Sequence, residues 1–360
     1  MTVWRRVQDL LEECASFLTG DVWHFDFTRL EGSLWPTRNE EIAPKDAKHV
    51  VGDAACLFSG GLDSLIGSID WLETHPKQRL LLVGHHDQHV AGPLRDQNAL
   101  LELLAPPFGD RIDRLQVRVG QTPSGKETSF RSRSLVFLGL GLVAAQSLGD
   151  GVPLLIPENG TISVNIPLTP SRRGSCSTRT THPRFLEMIA RLLREIGLST
   201  PIENPLQFQT KGECVARCRN LDLLKRAIPS SVSCAKTGHK RTWVQKDARG
   251  CGRCVPCIFR RAALHTVGQD TEKYGLDICR GQVDVEADRD LANDFRAVLS
   301  FLSGGITTEE VGEALLSNGR LPLLELDTYV GVVERAMQEI RTLIEDKGTP
   351  EVKALMSTEV

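Results

Sequence analysis

An apolar run that stops on two glycines sets what this chain of 360 residues can fold into. In Ala54-Ala-Cys-Leu-Phe-Ser-Gly-Gly-Leu-Asp-Ser64 the apolar residues give way to Ser59-Gly60-Gly61. An acid and a serine then open a helical pattern of Leu65, Ile66, Ile69 and Leu72. The pattern predicts a buried strand, a tight turn and a helix. Glycines, lacking a Cβ, let backbone N–H groups turn into the bend. The helix start adds unpaired N–H groups and the positive end of its dipole. Together these make an anion cradle of phosphate size. No Gly-Lys-Ser/Thr follows, so this is not the Walker loop. An ordinary strand–turn–helix without a ligand is the competing reading.

The alternation continues downstream. Apolar runs at Ala54–Phe58, Leu80–Val83, Leu115–Val119 and Leu154–Ile156 have the length of buried strands. Helical periodicity at 64–73, 93–104, 132–147, 183–196 and 213–226 lies between or after them. This rhythm predicts an α/β fold with an open, mostly parallel sheet and helices on both faces. Ligands of such sheets sit at the carboxyl ends of the strands. Ser59–Ser64, His85-His86-Asp87 and Pro157-Glu158-Asn159-Gly160 fall at such ends. Residues 1–50 read as an N-terminal appendage: an amphipathic helix, a strand-like alternation over Val22–Phe27, and packing tryptophans Trp4, Trp23 and Trp35. The sheet domain spans 51–228, a cysteine-rich loop region 229–265, and a helical C-terminal extension 266–360, with periodicity at 285–302, 307–318 and 325–347. A second Ser-Gly-Gly at 303–305 lacks the Asp-Ser and reads as a helix-ending turn.

A formal net charge of −3 calls for neither nucleic acid nor a membrane surface as partner. Met1–Leu18 has no continuous apolar core of a secretion signal. The longest apolar stretch, Leu135–Leu148, is short for a bilayer span, holds Gln146, and reads as a buried helix. The expectation is a cytoplasmic protein whose 10 cysteines serve metal or stay reduced.

Cys251-Gly-Arg-Cys254-Val-Pro-Cys257 brings thiols to a spacing that wraps one tetrahedral metal. Cys234, in Ser-Val-Ser-Cys, is the nearest upstream fourth ligand, and His239 could take its place. Sulfur-only ligation points to closed, structural Zn²⁺. An iron–sulfur cluster and a redox pair are the alternatives. Cys14, Cys56, Cys176, Cys214, Cys218 and Cys279 read as small packing side chains.

Ser59-Gly-Gly-Leu-Asp-Ser64 resembles the PP-loop of the N-type ATP pyrophosphatases, which grip the pyrophosphate of ATP and transfer AMP. Combined with Cys…CxxCxxC far downstream, the chain over roughly 51–265 resembles the QueC family, the 7-cyano-7-deazaguanine synthases. Arg133-Ser-Leu-Val-Phe-Leu138 resembles the family's Arg-Asn-x-x-Phe-Leu helix start. Asn204-Pro-Leu-Gln-Phe-Gln-Thr-Lys211-Gly-Glu213 resembles its Pro-Leu…Thr-Lys-x-Glu segment. There are departures. Ser134 replaces the usual Asn, the family's Asp-Tyr-Ser-Gly-Tyr-Pro-Asp-Cys segment is missing after Asn159, and the gap from Cys234 to Cys251 is longer. The long flanking segments look more like QueC-like proteins of antiphage defence clusters, the Qat and type IV CBASS groups. For the latter, the resemblance implies coupling of a deazaguanine to a protein amine.

The resemblance implies a PP-loop, adenine nucleotide α-hydrolase-like fold with a zinc knuckle. It also implies ATP and catalytic Mg²⁺ as cofactors, structural Zn²⁺, and a 7-deazaguanine carboxylate as substrate. Ser59, Gly60, Gly61, Leu62 and Ser64 would cradle pyrophosphate. Asp63 would orient the loop or Mg²⁺, or simply stabilise a helix start. Lys211 and Arg133 would offset phosphate charge, or stand as solvated surface cations. A buried carboxylate matches the donor edge of a deazaguanine; Glu158, with Asn159 beside it, is the candidate, and a turn acid the alternative. The Arg-rich stretch 169–184, with Arg172 and Arg179 as candidates, would handle anions or lie solvated. His85, His86 and His89 would border the nucleotide pocket. The expected activity is that of a carbon–nitrogen ligase forming AMP and pyrophosphate, with the amine on a protein acceptor docked by the C-terminal helices. Ammonia as the amine, giving the nitrile, is the enzymatic alternative. A non-catalytic nucleotide sensor is the other. Capping the sheet, or making a homodimer, is the competing role for the C-terminal helices.

Overall fold

The computed structural model describes residues 2–29, 31, 49–87, 91–120, 133–168, 179–237, 240–286 and 289–357. Its centre is a parallel sheet of β1 (Ala54–Leu57), β2 (Leu80–Asp87), β3 (Ile112–Val119), β4 (Leu154–Leu155) and β5 (Ile202–Glu203), in the order β3-β2-β1-β4-β5. Side chains of β1 and β2 alternate strictly between two apolar layers. Ala54, Cys56, Phe58, Leu80 and Leu82 join one core. Ala55, Leu57, Leu81 and Val83 join another. Burial on both faces explains why these strands read as continuous apolar runs.

The helices are α1 (Thr2–Arg6), α2 (Gln8–Thr19), α3 (Leu62–Thr74), α4 (Ala91–Phe108), α5 (Arg133–Leu148), α6 (Gly160–Val164) and α7 (Pro183–Ile196). They continue as α8 (Lys211–Arg217), α9 (Leu221–Ala227), α10 (Val255–Thr266), α11 (Arg289–Ser303), α12 (Thr308–Asn318), α13 (Leu326–Lys347) and α14 (Pro350–Ala354). Apolar residues of α3, α4, α8 and α9 cover the first face of the sheet. Those of α2, α5 and α7 cover the second. A third apolar layer gathers α10, α11, α12 and α13 with Val164, Ile166 and Leu168. The α13 helix is its spine, packed against α10, α6 and α8.

Several sequence expectations change. Strands β2 and β3 pair from Leu80↔Ile112 to Asp87↔Val119, longer than their apolar runs. An edge strand needs only one apolar neighbour, so Asp113, Arg114 and Arg118 are tolerated in β3. The single helix expected over 213–226 is two, separated where Cys218 turns extended and Asn220 caps α9 through Leu223 N at 3.1 Å. Val22–Phe27 is not a strand. Its alternation stacks Trp23 on Phe25 (5.7 Å) and Phe25 on Phe27 (6.4 Å), while Trp23 Nε1 donates to Thr19 of α2 at 2.9 Å. Helix α2 buries Cys14 and Leu18 in the sheet's second core. Helix α5 is buried on one side only, at Leu138, Gly141, Ala144 and Ala145, and Val143 is 70 % exposed. Trp35 lies outside the described residues. No helix among the described residues is long and apolar enough to cross a membrane.

Candidate active site and metal centre

From β1 the chain moves to β2 on one side; from β4 it moves to β5 on the other. The order therefore reverses between β1 and β4, and a crevice opens beyond their carboxyl ends at such a switch point. The Ser59–Ser64 turn follows β1, and Glu158-Asn159 follows β4.

The turn has the expected backbone. Gly60 sits at φ +86°, a left-handed conformation in which a side chain is strained. Gly61 is the N-cap of α3. Ser59 Oγ lies 3.3 Å from Ser64 Oγ and accepts from Gly61 N at 3.2 Å; Ser64 Oγ also donates to Gly61 O at 3.1 Å.

Asp63, in the first turn of α3, is the hub of a buried polar cluster. Lys211 Nζ stands 2.5 Å from its Oδ2, with the two side chains 3 % and 9 % exposed. Asn159 Nδ2 donates to the same oxygen at 2.9 Å. The Asn159 Oδ1 caps α6 by accepting from Ile162 N at 3.2 Å, so one fully buried amide serves fold and site together. Asn204, just past β5, grips the Glu158 backbone at both ends: its Oδ1 accepts from Glu158 N (3.1 Å) and its Nδ2 donates to Glu158 O (2.9 Å). Lys211 opens α8, whose start is fixed by a Thr210–Glu213 capping box. Segments after β1, β4 and β5 thus converge on one carboxylate.

The charges diverge. Burial alone would raise the Asp63 pKa, but the Lys211 ammonium and contacts with Glu158, Lys211 and Asn159 hold it below the ordinary aspartate value. Glu158 is pushed well above the glutamate range by burial and by the neighbouring Asp63 charge. Two adjacent carboxyls with separated pKa values can hold one proton between them at neutral pH. Burial and the Asp63 charge thus both favour the protonated form of Glu158. Asp63 Oδ1 is buried, and an aspartate carboxylate is the kind of oxygen ligand that a hard cation such as Mg²⁺ takes.

Other candidates lie differently. Arg133 is exposed at the first residue of α5. Arg179 does not point its donors at the cluster: it donates to Phe17 O (2.9 Å) and Asn318 Oδ1 (3.3 Å) and stacks over the Phe17 ring, tying α2 to α12. Arg172 and His89 lie outside the described residues. His85 packs on Phe137 (4.7 Å between rings), and His86 Nδ1 is buried without a partner. Burial raises Cys14, Cys56 and Cys218 to about 12, so these thiols are inert packing groups. Cys176 lies outside the described residues.

The sulfurs of Cys234, Cys251, Cys254 and Cys257 all lie within 4.8 Å of one another. Cys251 and Cys257 are 3.9 Å apart and Cys254 and Cys234 4.0 Å. A tetrahedral site with Zn–S near 2.3 Å needs sulfurs about 3.8 Å apart. Backbone N–H groups of Lys236 and Cys251 point at Cys234 Sγ, and that of Cys254 at Cys251 Sγ, each at 3.3 Å. Gly252, at φ +78°, makes the turn between them. The donor set fits a closed structural metal such as zinc. His239 lies outside the described residues.

Sequence reading gave Ser233 no role beyond its place beside Cys234 in the cysteine motif, and it passed over Glu339. Ser233 Oγ accepts from Leu62 N in the glycine turn at 3.3 Å. Glu339 of α13 accepts from Thr210 Oγ1 and, at 3.3 Å, from Gly212 N, so it holds the start of α8. Adjacency to Cys234 was the one signal for Ser233; a lone acid on a mixed helix gave none for Glu339.

Comparison of the chain with models of known protein families and with curated proteins finds no match.

Proposed function

We propose that this chain is a QueC-like ATP-dependent ligase of the PP-loop group. It transfers AMP to a 7-deazaguanine carboxylate and then joins the activated acyl group to an amine of a protein partner in antiphage defence. One observation carries the reading: Ser59-Gly-Gly-Leu-Asp-Ser64, Asn159 and Lys211 meet at the sheet's switch point, with Asp63 as hub. The family resemblance supplies the substrate class.

In the proposed reaction a carboxylate oxygen attacks the α-phosphorus of ATP, and the bond to the β,γ-pyrophosphate breaks. The amine then attacks the acyl carbon, loses its proton, and AMP leaves. The glycine-turn amides and the α3 N-terminus offset charge on the leaving pyrophosphate. Mg²⁺, for which Asp63 is the fitting ligand, would add charge neutralisation there. Lys211 would exchange its ion pair with Asp63 for phosphate oxygens. Glu158, as the neutral acid, can donate to an acceptor on the substrate, and after losing its proton can accept from a heterocycle's N–H edge. Structural Zn²⁺ at the four cysteines completes the cofactor set.

The acceptor side rests on α11–α13. Helix α13 is buried against the core, whereas the Leu323-Leu324 turn before it is 78 % and 100 % exposed, an outward apolar feature suited to a protein acceptor.

The test supplies ATP, 7-carboxy-7-deazaguanine and candidate partner proteins, with mass spectrometry of all products. AMP, pyrophosphate and a protein adduct are expected, and none with Asp63→Asn. Turnover to ADP and phosphate would refute the PP-loop reading. Efficient conversion of the acid to free nitrile with ammonia alone would leave the biosynthetic reaction instead.

A further inference from the structure

The segment that carries the first cysteine also holds the glycine turn. Val232 N donates to Gly60 O at 3.0 Å, and Ser233 Oγ accepts from Leu62 N at 3.3 Å. A Cβ on Gly61 would stand 3.6 Å from Val232 O and 3.8 Å from Ser233 Oγ, so the segment follows the turn closely. From behind, Arg260 braces the same segment: Nη1 donates to Ser231 Oγ (3.0 Å) and Nη2 to Ile228 O (2.9 Å), while Glu272 holds the guanidinium (2.8 and 2.7 Å). Arg249 donates to Pro229 O and, at 2.5 Å, to Asp96, whose Cβ lies 3.6 Å from where a Gly60 Cβ would be.

On that same side the segment borders a cavity of about 210 Å³, lined by Ser231, Val232, Ser233, Arg249, Arg260 and Tyr274 among others. Packing therefore does not fix the segment there, and its tethers must. The strongest tether is the next residue. Cys234 is covalently one step from Ser233, and adjacent Cα atoms are about 3.8 Å apart. Cys234 cannot shift without moving the hydroxyl that pairs Leu62 N–H.

We infer that the four-cysteine metal centre positions the glycine turn. A metal that pins Cys234 fixes Val232 and Ser233, and these fix the Gly60 carbonyl and the Leu62 amide. Ser233 is the positioning residue. Its hydroxyl satisfies a turn N–H that would otherwise lack a partner, and it retains a proton of its own to offer an arriving anionic oxygen. Metal loading thus sets whether the turn is shaped for an anion. The inference rests on the metal-binding part of the reading above and not on the nucleotide chemistry.

The test is amide hydrogen exchange over Ser59–Ser64 in the full-length chain, alongside elemental analysis. Ser233→Ala should keep its metal yet exchange about five-fold faster in the turn, the weight of one ordinary hydrogen bond. Ser233→Thr, which keeps the hydroxyl, should restore protection. Chelation should speed exchange over Ser59–Ser64 while the sheet centre, Leu80–Val83, stays protected. Wild-type exchange in fully metallated Ser233→Ala would overturn the inference. So would a turn indifferent to chelation, or protein purified without chelators that carries no metal. Should chelation unfold the sheet as a whole, the Ala and Thr variants decide: rescue by Thr supports the inference and no rescue overturns it. A failure to release pyrophosphate from ATP would refute the ligase reading and leave these exchange results standing.

Discussion

The Asp63–Lys211 pair lies almost entirely out of water, and such pairs behave differently from surface ones. Desolvation consumes most of their attraction, but removing one partner leaves a buried charge uncompensated. Lys211→Met is therefore expected to lower folding stability by about 3–5 kcal/mol at neutral pH, read from denaturant midpoints. Adding Asp63→Asn should cost less than the sum of the two single changes, because the second removes the stranded charge. The pH dependence has a definite sign. In the wild type Asp63 is held below its ordinary value, so its stabilisation is present above that value and lost as pH falls through the depressed one. In Lys211→Met the carboxyl escapes its charge by protonation. The gap between variant and wild type should accordingly shrink on going from pH 7.5 to about pH 4. A gap that is the same at both pH values would show that the pair is not coupled as its geometry requires.

Among the elements, α13 has the most consequential placement. It packs on α6, whose N-cap Asn159 touches Asp63, and on α8, whose first residue is Lys211. Glu339 reaches Thr210 and Gly212, and Arg335 reaches Glu213 at 2.8 Å, so α13 holds α8 at two points. A Cβ on Gly160 would fall 2.2 Å from Gln207 O and 3.1 Å from Val332 of α13, which explains a glycine at the start of α6. Burial raises Glu339 to about 7, with the Glu213 charge adding to it and the Thr210 and Gly212 hydrogen bonds opposing it. For an acid raised in the folded state, stability is fully present below the unfolded value and is lost as pH rises through the folded one. Glu339 should thus depress the wild-type Tm progressively from about pH 4.5 to 7. Glu339→Gln should flatten that slope, seen by scanning calorimetry at a series of pH values, whatever its offset at low pH. An unchanged slope would remove Glu339 as its source.

At the scale of the whole molecule, the sheet, the helical layer and the cysteine centre are interlocked rather than strung in sequence. Helix α10 begins at the third cysteine ligand, buries Ile258, Phe259 and Ala262 in the helical layer and puts Leu264 in a core of the sheet. Arg261 within it pairs with Asp270 (3.2 Å) and Asp277 (2.5 Å). Metal-binding energy at a site assembled only in the folded chain is folding energy. One zinc per chain is expected, and chelation should lower Tm by on the order of 5 °C or more, well beyond the effect of losing a surface contact. Elemental analysis with calorimetry before and after chelation checks both. A single metal-independent transition would separate the cysteine centre from the fold's stability.

The chain's local chemistry settles much of this alone. Continuous apolar runs can be buried only on both faces of a sheet, so Ala54–Leu57 and Leu80–Val83 announce a parallel sheet with covered faces. Two glycines after a strand force a turn, and a CxxCxxC spacing brings its thiols within reach of one metal. Each of these is a contact between near neighbours in sequence, and so it is written in spacing. What the tertiary structure decided depends on chain ends meeting across long separations. Lys211 is 148 residues from Asp63 and becomes its counter-ion only because β4 lies beside β1 at the switch point and β5 beside β4. Glu158 is pushed toward its protonated form only because the fold buries it and sets it beside Asp63. Arg179, in a stretch that looked anionic in appetite, is committed to Phe17 and Asn318. Ser233, 171 residues from Leu62, caps a turn N–H that no local pattern connects to it. Burial and charge pairing are properties of the assembled neighbourhood, and a residue's sequence neighbours do not carry them.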